Sequence, residues 1–223
     1  MHETAASDGY AFDLSGGHPA LDFANTMSRR DDPADNREYL THYGRLVSWS
    51  VQTGLVTPKE GERLRVEADG RPRAALAALR RALALREAIF ALFVAIARGE
   101  RPPADALAAV NAALPEALAA LRVGSDRDGF AWRFTHDETE LAPMLAPVVR
   151  ATAELLTSQD LPRIRECGSD TCFWLFLDRS KNGTRRWCDM KVCGNRAKAR
   201  RHYAREKKAL QPRRRRRTGS ATN

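Results

Sequence analysis

No apolar run in this 223-residue chain exceeds about ten residues. The longest, 88–97, is roughly half the length a helix needs to cross a bilayer, so no membrane span is expected. The opening stretch MHETAASDGYAFDL carries acidic residues and no apolar h-region, which argues against a secretory signal. HExxH, HxE…CxxC and GxGxxG patterns are absent, and Gly16-Gly17 reads as a turn rather than a dinucleotide loop. His42, His136 and His202 stand beside no Cys or Ser nucleophile motif. No catalytic residue is legible, and the chain is not expected to be an enzyme. A cytoplasmic location is the default. In that reducing compartment four cysteines are ligands more readily than disulfides.

Hydrophobic residues make up 43%, ordinary for a globular protein with a real core. The net charge of +9 is unevenly spread. Residues 1–160 hold 18 Lys+Arg against 23 Asp+Glu, and residues 161–223 hold 19 against 5, so −5 is followed by +14. This change of sign predicts a domain boundary near 160 and a polyanionic partner for the basic end. A first domain over 1–160, a small module over 161–211 and a disordered basic tail over 212–223 are expected.

The first domain reads as helix-dominated with a small β component. Residues 10–14 suggest a short strand before the glycine turn. Pro19 starts a helix through LDFANTMSRR, which Asp31-Asp32-Pro33 breaks. Residues 39–54 form a second helix ending at Gly54. Thr57-Pro58-Lys59-Glu60 has the composition of a capping box. A long helix over 72–98 should bury Leu76, Leu79, Leu83, Arg86 and Phe90 on one face before Gly99 stops it. Residues 104–120 are helical, 121–135 read as a β-hairpin around GSDRDG, and 141–157 return to helix.

Cys167, Cys172, Cys188 and Cys193 follow the pattern C-x4-C-x15-C-x4-C. Two such pairs supply the four thiolates of a tetrahedral structural zinc, and a filled shell leaves no position for catalytic water. The intervening FWLFLDRSKNGTRRW predicts a hairpin, with 173–178 paired to 184–187 across Lys181-Asn182-Gly183. A breaker-free basic helix follows Cys193. A knuckle, a hairpin and a helix carrying the last ligand make a treble-clef finger. Its core is small, so one zinc ion should supply much of its folding free energy.

The candidate nucleic-acid contacts are Lys181, Arg185, Arg186, Asn195, Arg196, Lys198, Arg200, Arg201 and Arg205. Cations release counterions from phosphates, and Asn and Arg are residue types that read base edges. Ala199, Tyr203 and Leu210 form a stripe that would pack on the hairpin. Bland alternatives stand beside these roles. The helix is equally readable as a solvated surface, Asn195 as a brace for the turn at the metal, and Trp174 and Trp187 as hairpin core. The run Arg213–Arg217 adds non-specific attraction. In the first domain His18, Asp22, Asn25 and Arg86 are polar groups among apolar neighbours. They are readable as a small-ligand pocket or as satisfied core groups.

The run RRWCDMKVCGNRAKARRHYARE with the preceding CGSDTCFWLFLDRSKNGT resembles the CGNR zinc-finger family, whose signature falls at Cys193-Gly194-Asn195-Arg196. GGHPALDFANT and the Trp49 helix resemble the ABATE domain, which commonly precedes this finger in bacterial proteins. The resemblance implies a stress-responsive transcription regulator, with a ligand-sensing α+β first domain and a treble clef that binds DNA. Charge alone does not separate DNA from RNA; the resemblance favours DNA. An RNA-binding zinc protein and a thiol-zinc redox switch are the alternatives.

Overall fold

The computed structural model describes residues 10–32, 34–126 and 129–210. Its spine is α4 (Pro72–Arg98), 27 residues long and so about 40 Å. Around it pack α1 (Pro19–Ala24), α2 (Tyr43–Gln52), α3 (Pro58–Gly70) and α5 (Ala104–Ala119). The last helix of the first domain, α6 (Leu145–Leu156), lies against α1 and α5. Three two-stranded antiparallel sheets complete the α+β architecture. They are β1 (Met27–Ser28) with β2 (Arg37–Glu38), β3 (Leu121–Asp126) with β4 (Gly129–Phe134), and β5 (Ile164–Glu166) with β6 (Leu175–Leu177). The last described element is α7 (Asn195–Leu210). Among the described residues no helix is long and apolar enough to cross a membrane.

Several local expectations hold. Thr57 and Glu60 close the capping box at the start of α3, and Gly99 terminates α4 at φ 71°, a left-handed conformation that favours glycine. The β3–β4 hairpin forms, with Val123 opposite Trp132. The expected run of basic residues at 213–217 lies outside the described residues.

Others need correction. Residues 10–14 form no strand. Helix α1 stops at Ala24 rather than running on to Arg30, because Asn25 and Thr26 turn away. The Thr26 hydroxyl donates to Phe23 O at 2.7 Å, and the Asn25 amide serves a distant strand. Helix α2 begins at Tyr43, and α6 at Leu145. The expected face of α4 holds in large part: Leu79, Arg86 and Phe93 are buried and Leu83 and Phe90 half-buried, whereas Leu76 is exposed. Ala75, Ala78 and Ala82 are buried at that end of the helix instead, since alanine lets neighbouring helices approach closely.

The largest correction concerns β6. It pairs with β5 upstream, Ile164 opposite Leu177 and Glu166 opposite Leu175, not with 184–187 downstream. All three β6 side chains are buried. Successive strand residues face opposite sides. Leu175 and Leu177 therefore join Ile164, Phe23, Trp49 and Phe93 in the main core. Phe176 joins the cysteine cluster. The segment 184–187 is too charged for such two-sided burial.

Three further links hold β6 to the first domain. The Asn25 amide donates to Leu175 O at 2.8 Å and accepts Leu175 N at 2.9 Å. Leu177 N donates to Gly16 O at 2.9 Å. Trp174 Nε1 donates to Met27 O at 3.2 Å.

Candidate metal centre and the basic helix beside it

The four cysteines are buried and unpaired by disulfides, and their sulfurs all lie within 4.8 Å of one another. Cys172 and Cys188 sulfurs are 3.6 Å apart, as are those of Cys188 and Cys193. Zinc–thiolate bonds of about 2.3 Å at tetrahedral angles place sulfurs roughly 3.8 Å apart, so the cage has the size zinc requires. The electrostatics agree. Contact with the Cys167 sulfur holds the Cys188 and Cys172 thiols above the ordinary thiol range, whereas the Cys172 thiol beside it pulls Cys167 down. Thiolates this close ionise together only around a cation.

Local bonds fix the cage. Cys167 N donates to Trp174 O and Gly168 N to Arg186 O, each at 2.8 Å, tying the knuckle to strand and return segment. Asp189 caps the turn over Met190–Gly194, accepting Val192 N at 2.9 Å. A β-carbon at Gly194 would collide with the Met190 thioether and press on the Trp187 ring at 3.1 Å. Trp174 and Trp187 pack half-buried against the thiols, as core of the finger rather than free platforms. Asn195 donates to Lys191 O at 2.9 Å and so braces the turn.

The expected packing stripe on α7 is not there. Ala197 is buried, while Ala199 is exposed and Tyr203 is 70% exposed; the side chain of Leu210 lies outside the described residues. The helix stands in solvent, so its sequence reads polar on nearly every side. At 100° per residue its cations fall on two faces about 160° apart. Arg196 and Arg200 share one with Tyr203, and Lys198, Arg201 and Arg205 share the other. The first face is already engaged: Arg200 pairs with Asp170 and Arg196 donates to the Thr171 hydroxyl at 3.3 Å. Lys198 and Arg205 form no ion pair among the described residues. Arg185 is turned inward, over the Phe176 ring at 4.5 Å and donating to the Trp187 and Cys188 carbonyls. Arg186 and Lys181 are exposed.

Beside the first face lies a cleft of about 340 Å³, where Arg29 and Arg37 of the first domain meet Arg196 and Arg200. More than 150 positions separate these pairs, so no local pattern announces the meeting. Arg29 holds φ 55°, a left-handed conformation uncommon for arginine.

The four polar residues of the first domain do not converge on one site. Burial keeps the His18 imidazole below the usual histidine range, and its Nδ1 caps α1 by accepting Ala20 N at 3.3 Å. Asn25 is committed to β6. Arg86, 2% exposed, forms a two-pronged pair with Glu38 at 2.6 and 2.5 Å. Asp22 accepts Gly16 N at 2.9 Å. Only Asp22 and Asn25 line a shared cavity, of about 180 Å³.

Burial raises the Asp22 carboxyl to about 6. The native state therefore binds more protons than the unfolded chain between pH 4 and 6, and Asp22 costs stability as pH rises through that window. An Asp22→Asn variant keeps the acceptor for Gly16 and loses the charge. Its stability relative to the parent should grow from pH 4 to 6 by about 3 kcal/mol, then stay constant. Urea melts across that range measure it, and a constant difference would contradict the buried charge.

Residues 17–159 match the ABATE family, described as "Putative stress-induced transcription regulator", and residues 163–206 match the CGNR zinc finger. No curated protein matches the chain. The two matches follow one another as the sequence resemblance implied, and the cysteine cage lies wholly inside the second. The finger holds one structural zinc, and the chain belongs to the ABATE family of regulators with a CGNR zinc finger at its C-terminal end.

Proposed function

We propose that this protein is a DNA-binding transcription regulator whose zinc finger contacts DNA and whose first domain senses a small ligand. The observation carrying the DNA reading is α7: a zinc-anchored helix standing in solvent with Lys198, Arg201 and Arg205 exposed along one face. A largely exposed helix with cations spaced by three and four residues suits a groove lined by phosphates. Arg186 and Lys181 extend the positive field on the finger itself, and residues 212–223 add to it. Arg196, Arg200 and Arg185 hold α7 and the return segment in place. The division of labour is therefore sensing over 1–160 and DNA contact over 161–211.

The test is DNA binding as a function of salt. Each lost phosphate contact lowers the log–log slope by about 0.9. Replacing Lys198, Arg201 and Arg205 together by Ala should flatten the slope by about 2 to 3 and weaken binding at least tenfold. Replacing Arg196 and Arg200 should change the slope less. An unchanged slope in the triple variant, with zinc still bound, removes α7 as the contact surface. Sequencing the nucleic acid recovered with the protein separates DNA from RNA.

A further inference from the structure

A cleft of about 420 Å³ opens between α4, α5 and α6 of the first domain. None of His18, Asp22, Asn25 and Arg86 lines it. Its walls are unusually rich in alanine: Ala84 of α4, Ala109, Ala112, Ala113 and Ala117 of α5, and Ala146 of α6. One-carbon side chains leave open the space that leucines would fill. Packed helices tend to collapse onto such a void unless something holds them apart. Here the segment 135–143 closes one end and is tied down from outside. Tyr43 Oη donates to Leu141 O at 2.7 Å and Arg71 to Thr139 O at 2.8 Å. Arg63 donates to Glu138 O, and His136 Nε2 lies 2.6 Å from Glu60. The wall is fixed by α2 and α3, and the cleft is a built feature.

The lining also defines what fits. Arg81 pairs with Glu116 at 2.8 Å, His136 contacts Glu60, and the Glu140 carboxylate accepts Ala142 N, a neutral donor, at 3.2 Å. The Thr135 hydroxyl donates to Ala120 O. Among the described residues no unpaired cation lines the cleft to neutralise an anionic guest, whose burial would be costly. Leu85, Leu145, Val149 and Phe134 supply apolar contact. The volume falls in the range of small-molecule pockets.

We propose that this cleft is the first domain's ligand site and takes a neutral, predominantly apolar small molecule. The proposal rests on the sensor reading and gives it a place. Two walls of the cleft continue toward the zinc. Helix α4 runs from Arg81, Ala84 and Leu85 to Arg98, whose guanidinium grips Glu166 of β5 at 2.7 and 2.8 Å. Helix α6 leads through the turn at Leu161–Arg163 into β5, one residue before Cys167. A guest that spreads α4 from α6 therefore acts on the strand that carries the first zinc ligand.

The probe is N-phenyl-1-naphthylamine, a neutral fluorophore, titrated into the full-length zinc-loaded protein. A saturable one-to-one rise in emission is expected. It should weaken at least tenfold in both Ala112→Trp and Ala109→Trp, where an indole enters the cleft from exposed positions on α5. Zinc content and the thermal midpoint report whether each variant is folded, and either variant alone suffices. The anionic analogue 1-anilinonaphthalene-8-sulfonate should bind at least tenfold more weakly than the neutral probe. No saturable signal, or one that survives both substitutions, overturns the cleft as the site. Equal binding of the anion overturns the ligand class. DNA affinity with and without the neutral probe bears on the sensor reading alone: unchanged affinity in a saturated protein counts against sensing and leaves the binding result standing.

Discussion

Removing zinc is expected to unfold residues 181–210 while the β5–β6 hairpin stays in place. The cysteine cluster has only Phe176 and the half-buried Trp174 and Trp187 as apolar company, too little to hold a module of this size. Zinc binding in finger peptides contributes about 10–16 kcal/mol, and that free energy is folding free energy. The loss should stop at the hairpin for a structural reason. Ile164, Leu175 and Leu177 belong to the main core, and Leu175 is bonded on both sides of its peptide by Asn25. Asp178 is buried too, accepting Ser180 N and Arg185 N at 2.9 Å. Hydrogen exchange on the chelated protein, or on Cys188→Ser with its zinc affinity lowered by orders of magnitude, reads this directly. The amides of α7 should lose protection, and those of Leu175 and Leu177 should keep it. Protection retained in α7 without zinc would contradict a metal-dependent finger. Simultaneous loss in β6 would mean that the hairpin belongs energetically to the finger after all.

Glu38→Ala should be a strongly destabilising substitution outside the cage. Arg86 is buried in the middle of α4, and Glu38 supplies two of its hydrogen bonds. Removing one partner of a buried ion pair costs about 3–5 kcal/mol, because the remaining charge is left without solvent or counter-charge. Glu87 still reaches Arg86 Nε at 2.9 Å, which places the expected cost near 3 kcal/mol. In a chain of this length that lowers the melting temperature by about 10 °C. Replacing both residues, as Arg86→Met with Glu38→Leu, should cost much less than the single change, since no orphan charge remains. A Glu38→Ala variant within about 0.5 kcal/mol of the parent would show that Arg86 does not depend on this pair.

Glu38 lies on β2 opposite Met27 of β1, and the Oγ of Ser28, next along β1, is 3.0 Å from Tyr39 Oη. The pair therefore also pins the small β1–β2 sheet against α4, next to Met27, whose carbonyl receives Trp174. Stability at Arg86 and the seating of the finger are linked through that short ribbon. The polar residues that the sequence marked as unusual are thus unusual for an architectural reason.

How legible was all this beforehand? Elements with strong local determinants could be read from the chain. The capping box at Thr57, the left-handed stop at Gly99 and the full extent of α4 depend on residues within one or two turns. The cysteine spacing specified the metal, because four thiolates at knuckle spacing fill the tetrahedral shell of a structural zinc. The change of charge sign near 160 was equally visible, and the family matches meet close to it.

The tertiary structure alone decided what no spacing encodes. It paired β6 with β5 rather than with 184–187, because three consecutive buried side chains need an apolar surface on both faces, and only the first domain offers the second one. It sent Asn25 to Leu175, 150 positions away. It turned Arg185 inward and left Lys198 and Arg205 outside. It opened a cleft among alanines that composition marks only as good helix formers. Local signals settle which residues form helices and which bind the metal, since those choices are made by neighbours in the chain. Which polar groups are consumed by the fold and which remain available to a partner depends on what packs across from them, and that is settled only when the chain has folded.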